Sequence, residues 1–581
     1  MNNKITKRNK WLIGLSLVIG HLTFSAALTS CSDYLDLMPM NEVVLENYWT
    51  QKSDVESVLG SCYESLSSGD CVTRMGLWGE VRSENLKLRG NDVTLEVQHL
   101  VKENILPTNT YCNWTVFYQA INRCNTVCYY APKVKDIDPN YGESQMKANM
   151  AEAVFIRSLC YFHLIRTFRD VPYSTEPSID DSQEYRIPAT KFDVVLDSLI
   201  ASLEAVKDDA PLYYAKPDPE GLRYNSNEIY NTGRVTRAAI YSLLADLYLW
   251  KGDWQKVCDC ADFVINFKKD HYDLLTKRHI EDDIYLYDNT FPLIRDKKDN
   301  NNGYAYNDIF GEGNSFESIF ELTYDKNYDK SGSDEKYCNQ YLKNFYHNLK
   351  DNRQGNLSLM TELYGELPDN DSKLYSKNDN RPYEFINKQG DSYSIRKYIA
   401  RSSSFDRTKS NWQSSLSPNR RSDNYANWIV YRLTDVMLMK AEALVQMGDA
   451  EWDNAYNLVL AVSNRAAGVF SMNNTLIKKN TDYTTLDDRE QLVLDERHRE
   501  LIFEGKRWYD LLRQARRSGS SEKLADAVTE KQDANRGGIK IKMMDTNYLY
   551  LPYFRNELKV NPYLKQNPAY NFGGEDEFNK N

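Results

Sequence analysis

Apolar residues recur at helical spacing over most of the chain. Residues 236–250 carry one apolar stripe, formed by Ile240, Leu243, Leu244, Leu247 and Tyr248. The same spacing predicts helices over residues 111–130 and 145–168. Because a helix with one apolar stripe must bury it against another element, the pattern predicts a mainly α protein of stacked helices.

Two helix ends share one spacing, at Ala245–Asp253 and at Ala441–Asp449. In each, an Ala is followed three positions later by a large apolar residue and seven positions later by a Gly-Asp pair. A Trp and a second helical stretch follow. The pattern resembles the tetratricopeptide helix-turn-helix unit, where small residues let two helices approach and Gly ends the first. We expect such units to stack into one scaffold.

Long polar segments separate the helices, at about 271–316, 325–395 and 401–424. Their Tyr, Asn, Asp and Gly residues predict irregular loops, and loops of this length are usually functional or disordered. Residues 315–324 (SFESIFELTY) alternate in polarity and predict a short strand.

Residues 1–30 have the order of an export signal. A basic start is followed by a largely apolar run over 11–28, which polar residues dilute too much for a good membrane-spanning helix. The run ends at Leu28-Thr29-Ser30-Cys31, which resembles the lipobox of bacterial lipoproteins, with Ser32 as expected for outer-membrane sorting. We expect a signal peptide over 1–30 and a lipid anchor on Cys31, which would hold the protein at the outer membrane, exposed on the cell surface. The alternative is a plain signal with a chance Cys.

Charge excludes one class of partner. The 581 residues include 72 Lys and Arg and 83 Asp and Glu. The export signal contains four of the basic residues and no acidic one, so the remainder carries a net charge of −15. This balance argues against a general affinity for nucleic acid, which requires a basic surface.

Cysteine spacing argues against a metal site. Apart from Cys31, nine cysteines remain, and the close pairs Cys124/Cys128 and Cys258/Cys260 lack the CxxC spacing of zinc sites. The chain also lacks HExxH, Walker A, GxGxxG and GxSxG motifs. We expect buried thiols, no metal and no cofactor, although an occasional disulfide stays open.

Seven segments in order resemble the SusD/RagB family of outer-membrane nutrient-binding lipoproteins. They are Tyr34-Leu35-Asp36 with Tyr48-Trp49, Trp114 to Asn125, Glu152 to Pro172, Glu317 to Glu321, Tyr431 to Ala443, Glu496 to Leu511, and Pro552 to Tyr570. The last segment departs from the family at Pro552-Tyr553-Phe554, where Pro-x-Pro is usual, and at Ala569, where Gly is usual. Both departures concern loop conformation.

The resemblance implies a mainly α, tetratricopeptide-like scaffold with long irregular loops and a few short strands. It implies a body over 31–581, with an N-terminal region at 31–270, a loop-rich segment at 271–314 and a C-terminal region at 315–581. It also implies a non-catalytic binding protein that captures a glycan and passes it to a SusC-like TonB-dependent barrel. The alternatives are a surface glycoside hydrolase and a protein-only assembly scaffold.

The hydrolase alternative depends on Glu496, Glu500 and Glu504, which are spaced i, i+4 and i+8. Such spacing stacks three carboxylates on one helix face, whereas glycosidases place two acids on opposite sides of a sugar. The interleaved arginines, Arg497, Arg499 and Arg507, predict ion pairs that hold this helix to its neighbours.

Sugar rings stack on flat aromatic side chains, and the resemblance places the ligand site on two loops. The first, 89–110, has no Trp, Tyr or Phe, whereas the second contains Tyr285, Tyr287, Phe291, Tyr304, Tyr306 and Phe310. We predict that Tyr304, Tyr306 and, more weakly, Trp78 contact ligand; the alternative is that these rings pack the loops onto the scaffold. A core role is predicted for aromatic residues at helical spacing, namely Trp114, Tyr118, Trp250, Trp254, Trp428, Trp452 and Trp508.

Overall fold

Helices form most of the computed structural model, which describes residues 48–90, 93–179, 186–214, 228–276, 291–294, 303–324, 338–359, 363, 370–389, 392–404, 417–467 and 476–571. Its α-helices are α1 (Lys52–Leu66), α2 (Gly69–Gly76), α3 (Leu95–Val101), α4 (Thr115–Ile137), α5 (Glu143–Phe168), α6 (Phe192–Val206), α7 (Glu228–Gly233), α8 (Arg237–Lys251), α9 (Trp254–Thr276), α10 (Tyr304–Tyr306), α11 (Arg381–Phe385), α12 (Leu433–Met447), α13 (Trp452–Ala466), α14 (Leu486–Leu501), α15 (Arg507–Ser518), α16 (Glu522–Glu530), α17 (Arg536–Met544) and α18 (Arg555–Val560). Short 3₁₀ segments lie at Thr110–Cys112, Asp449–Glu451, Asn480–Asp482, Thr546–Leu549 and Pro568–Tyr570, and π-helical turns at Leu77–Val81, Asn307–Glu312 and Leu342–Tyr346.

The long helices pack as successive neighbours. The contacts run from α1 to α4, α4 to α5, α5 to α6, α6 to α8, α8 to α9, α9 to α12, and α12 to both α13 and α14. Two of the helix ends are glycines with positive φ, Gly252 (+83°) and Gly448 (+103°), a backbone conformation that costs glycine little. The predicted mainly α scaffold of helical hairpins is therefore confirmed.

Helix α5 lies at the centre of this stack. Every residue from Ala151 to Phe168 is buried, so the helix is enclosed on all sides rather than on one stripe as the sequence predicted. Its charged residues are paired inside the protein. Glu152 bonds the guanidinium of Arg234 (2.6 Å), and Arg166 lies 3.7 Å from Asp246.

The strands of the described residues form two-stranded antiparallel ladders. They are β1 (Leu86–Leu88), β2 (Val171–Pro172), β3 (Ala189–Thr190), β4 (Ser318–Leu322), β5 (His347–Asn348), β6 (Arg353–Gln354), β7 (Leu357–Leu359), β8 (Ile386–Gln389), β9 (Ser392–Ile395), β10 (Ala400–Ser404), β11 (Ser417–Arg420) and β12 (Trp428–Arg432). The pairs are β1–β7, β2–β3, β4–β12, β5–β6, β8–β9 and β10–β11. Several of these strands lie in segments for which the sequence predicted only loop, because ladders of two to five polar residues carry no periodic signal.

Strands β4 and β12 join distant parts of the chain, with Leu322 opposite Trp428 and Ser318 opposite Arg432. The predicted strand at 315–324 is confirmed, but all five residues of β4 are buried, so polarity does not alternate with exposure. Trp428 was predicted on a helix and instead begins β12. Its run Trp-Ile-Val-Tyr is aromatic and β-branched, and α12 starts only after Arg432, whose backbone is extended (φ −139°, ψ 161°).

A buried ion-pair network ties β12 to the end of α14. Arg432 is 1% exposed and donates to Glu500 Oε1 (2.9 Å), to both carboxylate oxygens of Glu504 (2.8 and 3.0 Å) and to the hydroxyl of Thr434 (2.7 Å). Arg381 of α11 reaches Glu500 from another side at 3.2 Å and also binds Glu496 at 2.7 Å. The network therefore joins a strand, a short helix and a long helix.

The three carboxylates do not form one helix face as predicted. Helix α14 ends at Leu501, and Phe503 has a positive φ of +68°, so Glu504 lies in the turn that follows the helix. All three nevertheless enter the same network, because Arg381 and Arg432 reach them from neighbouring elements. The predicted ion pairs of the arginines are confirmed, with Arg497 on Asp435 and Asp510, Arg499 on Glu496, and Arg507 on Glu84.

We expect Arg432→Gln to lower the free energy of unfolding by about 3–5 kcal/mol, because it leaves Glu500 and Glu504 short of a buried cation. The matched control is Arg401→Gln, which removes a half-exposed surface pair with Glu312 and should cost less than about 1 kcal/mol. Urea denaturation followed by circular dichroism measures both. Equal midpoints for the two variants would contradict the role given to the network.

Candidate functional site

Trp78, one of the predicted ligand-binding residues, lies inside the protein. It belongs to the Leu77–Val81 turn, is 2% exposed, and donates its indole N–H to the carbonyl of Tyr111 at 2.9 Å. Its ring stacks on Phe117 with centroids 5.0 Å apart and meets the edge of Phe168 at 5.3 Å. The geometry favours the packing alternative for this residue.

Tyr306 is also buried. Its hydroxyl lies 2.9 Å from the carbonyl oxygen of Arg396 and 3.1 Å from that of Ala400, so it can donate to either. Burial raises the pKa of this hydroxyl well above its usual range. The ring packs beside Phe310 and Phe385, at centroid distances of 5.5 and 6.3 Å. Tyr306 therefore anchors the second loop to strand β10 and the residues before it.

The cavity beside Tyr306 is too small for a sugar. Its volume of about 30 Å³ has room for water but not for a sugar ring. Asn380 and Glu500 contribute to its wall, and both polar side-chain atoms of Asn380 lack a protein partner. This space suits solvent next to the ion-pair network.

Several predicted residues fall outside the described part of the chain. Cys31 and the export signal precede it, and Tyr285 and Tyr287 lie in a gap within it. The backbone of Tyr304 belongs to α10, but its side chain is not among those described. The ligand-binding prediction for Tyr304 and the lipid-anchor prediction for Cys31 stay predictions.

The core role predicted for most of the helical aromatics agrees with their burial. Those below 10% exposure are Trp114, Trp250, Trp428, Trp452 and Trp508, while Trp254 and Tyr118 are partly buried. Tyr111, one residue past the first loop, is half-buried and meets Phe345 edge to face at 6.4 Å.

The described residues form two larger grooves on the helical scaffold. The first, of about 620 Å³, lies between α9, α12 and α13, and its lining includes the Lys440–Asp262 ion pair and the amides Asn457 and Asn464. The second, of about 540 Å³, lies between α4 and the segment after α5. There the Tyr118 hydroxyl already donates to the Pro172 carbonyl (2.6 Å). Both volumes are in the range of small-ligand sites.

The pKa values of two buried acids, Glu80 and Asp308, are raised to about 7. Burial raises the pKa of Glu80 to about 7, against the lowering effect of hydrogen bonds from Asn85 and from the backbone N–H groups of Phe503 and Gly505. Burial and then Glu317 raise the pKa of Asp308 to about 7 as well. The Glu80 carboxylate accepts two backbone N–H groups from the turn after α14, so it joins the N-terminal and C-terminal parts of the chain.

In the ion-pair network, the pKa values of Glu500 and Glu504 are lowered instead. Burial alone would raise the pKa of Glu500, but Arg465, Arg432 and Arg381 outweigh it and hold that pKa well below its usual range. A general acid in glycoside hydrolysis needs the opposite shift. These carboxylates therefore suit a structural role.

Other site classes can be checked in the described residues alone. They contain no group of three or more His, Cys, Asp or Glu placed to hold a metal ion, and no disulfide joins their cysteines. Within the same residues, no helix has the length and apolar character needed to cross a membrane.

Two family models match the chain, and together they cover most of it. The model described as "SusD family" matches residues 316–570, and the one described as "Starch-binding associating with outer membrane" matches residues 33–249. The chain belongs to the SusD/RagB family.

Curated relatives of this SusD-like chain come from Formosa agariphila. SusD-like protein P38 is 23% identical over 84% of this chain and 88% of its own length. SusD-like protein P25 is 22% identical over 94% of this chain and 96% of its own length. The similarity thus extends along nearly the whole of each protein.

Solved structures share the SusD-like fold. A SusD superfamily protein from Bacteroides vulgatus aligns over 90% of this chain and all of its own, with a TM-score of 0.62 and 18% identity. A laminarin-binding SusD-like protein aligns over 90% of this chain and all of its own, with a TM-score of 0.60 and 21% identity. NanU of B. fragilis covers 92% of this chain, with a TM-score of 0.59 and 18% identity.

We expect the stability of this SusD-like chain to depend on pH through His498. Burial lowers the pKa of His498 to about 3, and Arg507 adds to the lowering while Glu84 opposes it. Since an unfolded His titrates near pH 6.5, the unfolded chain binds the extra proton first, and stability is lost as pH falls below about 6.5. From pH 6.5 to 4.5 the loss due to this group is about 2–3 kcal/mol.

The measurement is the difference in unfolding free energy between the wild type and His498→Gln at several pH values. Taking this difference cancels the contribution of Glu80 to the unfolding free energy. Because the pKa of Glu80 is raised, that contribution falls as pH rises from about 4.5 to 7, opposite to the effect of His498. The advantage of the wild type should shrink on acidification. A difference that is constant with pH would mean that His498 is not buried as the neutral form.

Proposed function

We propose that this chain is a non-catalytic, lipid-anchored binding protein of the outer membrane. It captures a glycan on its loop-bearing face and delivers it to a SusC-like TonB-dependent barrel. The observation that carries the proposal is the family match over both regions, one of them under a description that names starch binding and the outer membrane. The laminarin-binding neighbour of the same fold supports the same ligand class.

The chemistry of the interior favours binding over hydrolysis. Glu496, Glu500 and Glu504 all lie within hydrogen-bond distance of Arg381 or Arg432 and are buried. None of them is placed to protonate a glycosidic oxygen. This arrangement supports a scaffold that keeps its charged groups inside and leaves recognition to the loops.

Within the site we propose that Tyr304 contacts the sugar. Trp78 and Tyr306 are buried, so their part is to position the loops: Trp78 through the Tyr111 carbonyl, and Tyr306 through β10. Tyr304 is two residues from the Tyr306 anchor and so belongs to a segment whose backbone is fixed before ligand binds. A fixed loop loses less conformational entropy on binding.

Isothermal titration of the wild type against maltoheptaose and laminarihexaose tests the function. We expect saturable binding of at least one glycan, without release of new reducing ends. Tyr304→Ala should weaken that affinity about tenfold, since truncating an aromatic contact commonly costs more than 1 kcal/mol. Tyr306→Phe is the matched control and should keep the affinity. Wild-type affinity in Tyr304→Ala would remove this residue from the site, and new reducing ends would favour the hydrolase.

The lipid anchor is tested by Cys31→Ser in the full chain. We expect the variant to lose incorporation of labelled palmitate and to leave the outer-membrane fraction, because stable anchoring needs acyl chains. Cys128→Ser, a half-buried cysteine of α4, is the control and should behave as the wild type. Palmitate incorporation in Cys31→Ser would contradict the proposed anchor.

A further inference from the structure

A short hairpin near the first loop is firmly held. Strands β5 and β6 place His347 opposite Gln354 and Asn348 opposite Arg353. Asn424 fixes the hairpin from outside: its amide donates to the His347 carbonyl (2.7 Å) and accepts from the Leu349 N–H (3.1 Å). Polar groups on this hairpin therefore have defined positions.

Two of those polar groups have no partner in the protein. The Nε2 atom of His347 and the Oε1 atom of Gln354 are both buried and lack a hydrogen-bond partner. His347 as a whole is 4% exposed, and the two residues face each other across the ladder. Buried polar atoms are nearly always satisfied, so a pair left open at one place points to a ligand or solvent that completes it.

Two arginines flank this pair. The backbone N–H of Arg89 donates to the Asn356 carbonyl (3.2 Å), just beyond β6, and Arg420 donates to Asn352 Oδ1 (3.3 Å) in the hairpin turn. Both side chains are exposed, and among the described residues neither has a carboxylate within ion-pair distance. Asp351, the acid of the turn, accepts from the amide of Asn348 at 3.0 Å instead.

The two arginines also affect the pKa of His347. Burial lowers the pKa of His347, and Arg420 and Arg89 lower it further, while Asn352 opposes them. Buried arginines such as Arg432 and Arg507 neutralise carboxylates. Arg89 and Arg420 instead leave positive charge at the hairpin that no carboxylate of the described residues pairs with.

Resting on the proposed function, we propose that Arg89, Arg420, His347 and Gln354 form a subsite for the acidic group of an anionic glycan. The guanidinium groups supply a planar fork of donors that matches a carboxylate or a sulfate, and a hydroxyl of the same sugar can donate to the open Oε1 of Gln354. The shared chemistry is a sugar that bears a carboxylate or a sulfate ester. A neutral glycan would leave both arginines without a counter-charge.

Titration calorimetry of the full chain with trigalacturonate, a sulfated heparin tetrasaccharide and neutral laminarihexaose tests this subsite. We expect one of the two anionic probes to bind, which also tells carboxylate from sulfate, with an affinity that falls as NaCl is raised. The double variant Arg89→Gln/Arg420→Gln should weaken that binding at least tenfold and leave any binding of laminarihexaose unchanged. The matched control is Arg353→Gln, an exposed arginine of the same hairpin that pairs with Asn348 rather than His347; it should stay within twofold of the wild type.

Thermal unfolding of each variant serves as the check on folding, and exposed arginines should leave it unchanged. Failure of both anionic probes while a neutral glycan binds would overturn the subsite and leave the proposed function standing. If Arg353→Gln loses as much affinity as the double variant, the loss comes from general surface charge, and the subsite is overturned as well. If none of the glycans binds, both the subsite and the proposed function are overturned.

Discussion

The structure depends on a set of charged side chains that are buried and fully paired. Three arginines from separate elements each lie within 3.2 Å of the Glu500 carboxylate, namely Arg381, Arg432 and Arg465. Removing charges from water is costly, and only close geometry with several hydrogen bonds per group repays that cost. The arrangement therefore tolerates little displacement of α11, β12, α13 or α14, and it fixes how these elements meet.

A second group of contacts extends this constraint across the chain. Glu80 accepts the backbone N–H groups of Phe503 and Gly505, and Arg507 binds Glu84. The backbones are so close that a Cβ on Gly79 would lie 1.9 Å from the Gly505 carbonyl oxygen. The regions matched by the two family models therefore meet through buried polar bonds.

The helical scaffold could be predicted from the sequence because helices and their ends leave local signals. Helical spacing predicted α4, α5 and α8, the Gly-Asp pairs predicted where α8 and α12 end, and the charges around Glu496 predicted ion pairs. It failed where long-range packing decides. Trp428 begins a strand because it pairs with β4, which lies about a hundred residues earlier in the chain and so leaves no local signal. Trp78 and Tyr306 are buried by neighbours that no local pattern reveals.

The arginine pair of the proposed subsite was out of reach for the same reason. Arg89 and Arg420 are far apart in the chain and become neighbours of His347 only through the β1–β7, β5–β6 and β10–β11 ladders. Ladders of two to five residues leave no periodic signal, so their pairing cannot be predicted from polarity.

Native-state hydrogen exchange measures most directly whether the two matched regions form one cooperative body. Peptides that span residues 76–85 and 500–507 report on the two sides of the Glu80 contact. The account predicts that amides on both sides exchange only through global unfolding, with the same free energy of opening and the same dependence on denaturant. Exchange of one side at a clearly lower free energy would show that the regions open separately and would contradict the role given to the buried polar contacts.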